Sequence, residues 1–195
     1  MRAIVVGVGI ALGVCAAGAG AEAFSVSYDQ KATQGRQVTT SQVSMKDEMF
    51  RMDMTADGQT MAIIHNATGT YTYMPAEGMA MKTAALNPSQ QPIEGAEDYL
   101  QYLQQRQAEK IGNETVDGHA CDIYRFSDPE TQGTVTAWVW TEKQFPLKLE
   151  FDGVKGKMLM EFLNVQLGAA LPDALFELPP HVQVMDMGNM FQLGQ

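Results

Sequence analysis

Closely spaced methionine pairs are the residues of this chain with the most distinctive chemistry. Eight of its 14 methionines fall within residues 45–81. Side chains at positions i and i+2 of a β-strand lie on the same face, so a pair with this spacing places two thioethers side by side. The pairs are Met52 and Met54, Met79 and Met81, and Met158 and Met160. Their spacing predicts a sheet with methionine-rich faces.

A methionine-rich sheet face suits an apolar ligand, because the thioether side chain is flexible and polarizable and adapts to varied apolar partners. We predict a non-enzymatic binding protein that holds a lipid acyl chain or another apolar small molecule in a concave groove. The predicted ligand-binding residues are Met45, Phe50, Met52, Met54, Met79, Met81, Met158 and Met160.

Two other functions fit the same pattern. Soft thioether ligands select Cu(I), and Met185 and Met187 supply a fourth pair at this spacing. If the concave face is instead filled as core, the protein is a cell-envelope interaction or sensor module that acts through its surface.

Catalytic and metal-binding motifs are missing from the sequence. It contains no Gly-x-Ser-x-Gly elbow, no Cys-x-x-Cys and no His-Glu-x-x-His. Its three histidines, His65, His119 and His181, are far apart in the chain. We therefore predict no catalytic residues, no metal ligands and no cofactor.

The N-terminal segment has the pattern of a secretory signal. Arg2 is followed by an uncharged run over residues 3–17, and Ala21-Glu22-Ala23 offers a cleavage site. We predict cleavage after residue 23 and a periplasmic location, with a retained membrane anchor or acylation of Cys15 as the alternatives.

The charge balance disfavours nucleic-acid partners. The formal net charge is −10, and an acidic surface repels phosphate backbones. Loss of residues 1–23 would leave Cys121 as the only cysteine. An intrachain disulfide is then impossible, and we predict that this thiol is a small buried core residue.

Alternation of apolar and polar residues predicts consecutive strands. In residues 49–55, Phe50 and Met52 face one way while Arg51 and Asp53 face the other. Further strands are expected over residues 24–32, 37–46, 59–66, 70–74, 78–83, 114–116, 119–126, 134–141, 147–151 and 157–165. Hairpin turns are indicated by Asp57-Gly58, Asp117-Gly118 and Asp152-Gly153.

Residues 95–110 are the one predicted helix. Glu97 and Asp98 lie in its first turn and Lys110 at its end, as the helix dipole favours. A narrow apolar stripe predicts that the helix lays one face on the sheet. Trp138 and Trp140 share a strand face. They either pack under this helix or line a ligand site.

These elements predict a mainly β (α+β) fold with one domain over residues 24–195. About ten strands joined mostly by hairpins favour a large curved antiparallel sheet. One helix and loops would cover part of it. Part of the concave face would then stay open as an apolar groove.

Several segments together resemble a known family. They are residues 49–54, 61–65, 71–74, 112–124, 145–148 and 175–179. In order and type they resemble a family of exported bacterial proteins of unknown function, whose fold is related to the periplasmic lipoprotein carriers LolA and LolB. The resemblance implies a half-open β-barrel plugged by helices, with a cavity for acyl chains and no catalytic residues. A lipoprotein or an envelope protein is a further candidate partner, although lipoprotein transport does not follow from the resemblance.

Overall fold

Twelve β-strands and one α-helix make up the part of the chain that the computed structural model describes, residues 24–56, 58–83, 96–129, 132–154 and 156–186. The strands are β1 Ser25–Gln34, β2 Gln37–Lys46, β3 Met49–Ala56, β4 Gln59–Asn66, β5 Gly69–Met74, β6 Met79–Thr83, β7 Glu109–Val116, β8 His119–Asp128, β9 Gly133–Trp140, β10 Pro146–Gly153, β11 Gly156–Leu167 and β12 Gln183–Asp186. Helix α1 spans Ala96–Gln105. The predicted signal segment and the proline-containing loop at residues 85–94 lie outside the described residues.

All twelve strands belong to one sheet, in the order β12-β6-β5-β4-β3-β2-β1-β11-β10-β9-β8-β7. Strands β1–β6 and β7–β11 each form a meander of antiparallel neighbours, and β1 joins the two by pairing with β11. Only β12 runs parallel to its neighbour, β6. The predicted mainly β fold with one large antiparallel sheet is confirmed.

Turn chemistry explains why neighbouring strands pair as hairpins. Asp117 and Gly118 between β7 and β8 have φ angles of 48° and 81°, as a type I′ turn requires at both central positions. Strands β2 and β4 begin and end at the residues predicted for them.

The main packed cluster lies largely on one face of the sheet, which we call the inner face. It includes Val26 on β1, Met45 on β2 and Phe126 on β8, all at most 5% exposed. These residues belong to one packed cluster although β2 and β8 are five positions apart in the sheet. The sheet must therefore curl around the cluster. Helix α1 adds Tyr99 and Leu103 to it, so the predicted apolar stripe does face the sheet.

Helix α1 is shorter than predicted. It ends at Gln105 because Gln107 takes a left-handed conformation, with φ of 52°. The amide of Ala108 then donates to the carbonyl oxygen of Leu103 at 2.9 Å, closing a Schellman-type cap. Lys110, predicted as the last helical residue, lies in β7 and pairs with Asp122 at 2.7 Å. No helix among the described residues has the length and apolar character needed to cross a membrane.

Residues 168–182, which we call the C-terminal strap, cross the outer face of the sheet. The 3-10 helix Asp173–Phe176 contacts β3 and β4, and Phe176 is fully buried. Side chains from the sheet cap the strap's carbonyl groups: Arg51 donates to the oxygen of Leu175 at 3.0 Å and Asn66 to that of Phe176 at 2.8 Å. Strand β12 follows the strap. No strand was predicted beyond residue 165, so β12 was missed from the sequence.

Two buried tyrosines give the fold a defined response to alkali. Burial raises the pKa of Tyr28 and of Tyr99 far above the ordinary value of 10.0. At pH values above about 10, both groups stay protonated in the folded protein but ionise in the unfolded chain. We therefore expect stability to be unaffected by them below about pH 10 and to fall as the pH rises further. Urea unfolding midpoints measured from pH 8 to 11 would show the fall, and Tyr28→Phe should reduce it.

Candidate functional site

The predicted methionines are aligned across the sheet by the strand register. Met52 on β3 pairs with Val43 on β2 and with Ile63 on β4. Ile63 pairs with Thr72, and Thr72 with Met81. Directly opposed residues share a face, so these side chains form one continuous row on the inner face.

A second row runs beside the first and is richer in methionine. Met54 on β3 pairs with Met61 on β4, and Met74 on β5 pairs with Met79 on β6. Met61 and Met74 lie one position beyond the pair of Ala62 and Tyr73, which joins β4 to β5. We call Met54, Met61, Met74 and Met79 the four-methionine row. It lies next to the β3–β4 and β5–β6 turns.

Burial divides the eight predicted ligand-binding residues into two sets. Met45, Phe50, Met158 and Met160 are only 2–7% exposed and belong to the packed core. Met52, Met54, Met79 and Met81 are half-buried. The first set stabilises the core and offers almost no surface to a ligand. The second set lies on β3 and β6.

The half-buried side chains form one surface with three neighbours that were not predicted from the sequence, Met61, Ile63 and Met74. Met61 and Met74 were not predicted as site residues, although the Asp57-Gly58 hairpin signal places Met61 opposite Met54. We call the combined set the methionine surface: Met52, Met54, Met61, Ile63, Met74, Met79 and Met81.

The inner face of strands β3–β6 carries no lysine, arginine, aspartate or glutamate. The charged residues of these strands, Arg51, Asp53 and Lys82, all alternate onto the outer face, where Arg51 and Asp53 form an ion pair at 2.7 Å. His65 is the one titratable inner-face group, and its Nδ1 lies 2.7 Å from the hydroxyl of Thr70. The methionine surface is therefore suited to an uncharged, apolar contact.

The described residues hold no group of three or more His, Cys, Asp or Glu side chains that could bind a metal. Two cavities lie away from the methionine surface. One, of about 350 Å³, is lined by Lys46 and the start of the strap. The other, of about 370 Å³, lies between the β4–β5 turn and Phe176.

The two tryptophans lie neither under α1 nor at the methionine surface. Tyr102 of α1 packs edge-on against Phe126, with ring centroids 5.6 Å apart. Phe126 pairs with Val135 of β9, and Trp138 and Trp140 alternate onto the opposite face. There Lys148 Nζ lies 4.0 Å from the ring centroid of Trp138. Trp138 is 9% exposed and belongs to the packed cluster, and Trp140 packs against that cluster. The packing role predicted for them is therefore confirmed, although they pack on the face opposite Phe126.

Cys121 is 1% exposed, as predicted. Burial raises the pKa of its thiol, which lowers the thiolate fraction at neutral pH. We expect alkylation by iodoacetamide at pH 8 to be slow in the folded protein and fast in urea. Equal rates in both states, followed by intact mass, would contradict this burial.

Solved structures with a similar fold share little sequence with the chain. An uncharacterized conserved protein from Thermus thermophilus has 10% identity, with 83% of this chain and 90% of that chain covered and a TM-score of 0.57. MucB of Pseudomonas aeruginosa, in complex with MucA, has 14% identity, with 83% and 58% covered and a TM-score of 0.56.

A LolA superfamily protein from Nitrosomonas europaea is also among these neighbours, at 14% identity, 80% and 90% coverage and a TM-score of 0.34. No curated protein matches the sequence at a significant level. The predicted membership of a family of unknown function is confirmed by a family model that matches residues 25–144. On that match, the chain belongs to the family described as Domain of unknown function (DUF4412).

Proposed function

We propose that this protein is a non-enzymatic binding protein of the bacterial periplasm that holds a lipid acyl chain or a similar apolar ligand against the methionine surface. The observation that carries the proposal is the half-buried, uncharged inner face of β3–β6.

The physical chemistry of that face favours a flexible hydrocarbon. Each methylene group removed from water contributes about 0.8 kcal/mol. Methionine side chains adapt to a chain that bends in more than one way. Met52 and Ile63 also pack against the core cluster, so the surface rests on a rigid base.

Export is part of the proposal. Residues 1–23 carry the signal pattern, and cleavage there would release the domain into the periplasm. Structural neighbours with a similar fold include MucB in complex with the periplasmic part of MucA. That likeness supports an exported role through the fold alone.

Native mass spectrometry of the mature protein, purified from an exporting bacterial host, tests the proposal. We expect a mass above that of the apoprotein, with the excess released on gentle denaturation as a lipid or fatty acid. A bare apoprotein mass that stays unchanged after incubation with fatty acids would contradict it.

A protein partner is the second candidate function, with a lipoprotein or an envelope protein as the partner. The specific observation is an apolar sheet edge: Val184 and Met185 on β12 are 49% and 44% exposed. Crosslinking in intact cells from a photoreactive residue at position 184 would capture such a partner. The same residue at position 38, which is also exposed and lies on β2, is the control.

A further inference from the structure

We propose that the four-methionine row is a binding site for one soft monovalent metal ion, Cu(I). This site lies at one end of the methionine surface and does not depend on acyl-chain binding. It would give the protein a second ligand of a different chemical class.

The row brings thioethers together by backbone register. Met54 and Met61 are directly opposed, and so are Met74 and Met79. Neighbouring strands are about 4.8 Å apart, and opposed Cβ atoms about 4.5–5.5 Å. A methionine side chain has three rotatable bonds beyond its Cα, so thioethers from three adjacent strands can converge on one point above the middle strand.

The chemistry of the row selects the ion. Thioether sulfur is a soft ligand that favours Cu(I), whereas calcium and magnesium need oxygen ligands, and zinc sites use thiolate, imidazole or carboxylate. Within the described residues no cluster of such harder ligands exists. The formal net charge of −10 also attracts cations to the protein.

Accessibility separates this row from the methionine pair in the core. All four members are half-buried, so an ion can reach them from solvent. Met158 and Met160, which have the same sequence spacing, are 7% and 3% exposed within the core. Spacing alone therefore does not make a site, and the core pair serves as an internal control.

The test is a Cu(I) titration of the mature protein under anaerobic, reducing conditions against a competing chromophoric chelator. We expect one Cu(I) per protein. Leucine keeps the apolar volume of methionine and removes the sulfur, so Met61→Leu and Met74→Leu should each weaken binding by about tenfold or more. Met158→Leu should leave the affinity unchanged.

Failure of this proposal is distinguishable from failure of the proposed function. Native mass spectrometry of the wild-type protein tests lipid binding separately. A released lipid without Cu(I) uptake would refute only the metal site, and Cu(I) uptake by a protein that takes up no fatty acid would refute only the proposed function. No Cu(I) uptake by the folded wild-type protein would overturn the metal site, and so would equal affinities in all variants. Circular dichroism spectra that match the wild type show that each variant is folded, and silver(I) provides a probe that does not change oxidation state.

Discussion

Phe176→Ala is expected to lower the free energy of unfolding by about 3–5 kcal/mol, the range for truncating a buried phenylalanine. Phe176 is fully buried between the strap and the outer face of β3 and β4. Its loss enlarges the cavity of about 370 Å³ that Phe176 lines together with Asn66 and Tyr71. Urea unfolding followed by circular dichroism, with an unchanged slope, would measure the loss.

The control for this prediction is Asp173→Ala, in the same 3-10 helix. Asp173 pairs with Lys46 at 2.6 Å, but its side chain is 71% exposed. An exposed ion pair is worth at most about 1 kcal/mol. Comparable losses from the two variants would mean that the strap is held by its charges and carbonyl caps rather than by the phenyl ring.

Met81→Glu is expected to weaken fatty-acid binding by about a hundredfold or more. A carboxylate on the methionine surface can keep its hydration water, which excludes the acyl chain. Alternatively, the bound chain removes that water and leaves the charge without solvation. An uncompensated charge of this kind costs several kcal/mol, and about 2.7 kcal/mol is a hundredfold in Kd. Displacement of a fluorescent fatty acid would give the affinities.

Lys82→Ala is the matched control, because it changes the net charge by the same amount as Met81→Glu does. Lys82 neighbours Met81 but lies on the outer face, where its Nζ is 5.9 Å from the ring centroid of Tyr71. The affinity of the Lys82→Ala variant for fatty acid should stay within about twofold of the wild type, since surface substitutions rarely change a free energy by more than about 0.5 kcal/mol. Equal weakening in both variants would indicate a general effect of charge and place the ligand elsewhere.

Local signals predicted most of the sheet. The alternation in residues 49–55 reflects a strand whose two faces differ, and Asp117-Gly118 adopts the turn that its residue types favour. Since consecutive strands joined by short turns pair as neighbours, the order of β1–β6 follows almost directly from the turns.

Non-local packing explains what the sequence missed. Helix α1 was predicted to continue to Lys110, whereas its cap forms at Gln107. Strand β12 depends on pairing with β6, more than 100 residues earlier in the chain. A four-residue strand with all its residues exposed carries no apolar alternation that would reveal it.

The sequence predicted which kind of residue forms the candidate site, but not which methionines are accessible to a ligand. Strand spacing identified the methionine pairs, but spacing is the same for Met52 and Met54 on the open surface as for Met158 and Met160 in the core. Which pairs stay accessible depends on where the sheet curls and where α1 lies. Those are properties of the whole fold, and no single strand encodes them.

The pairing of β1 with β11 means that an early strand can complete its pairing only late in folding. Val26 is opposite Leu167, so β1 has to wait until residue 167 has been synthesised before this edge is covered. Long-range pairing of this kind slows folding, and an unpaired edge invites association with other chains. The refolding yield should therefore fall as protein concentration rises.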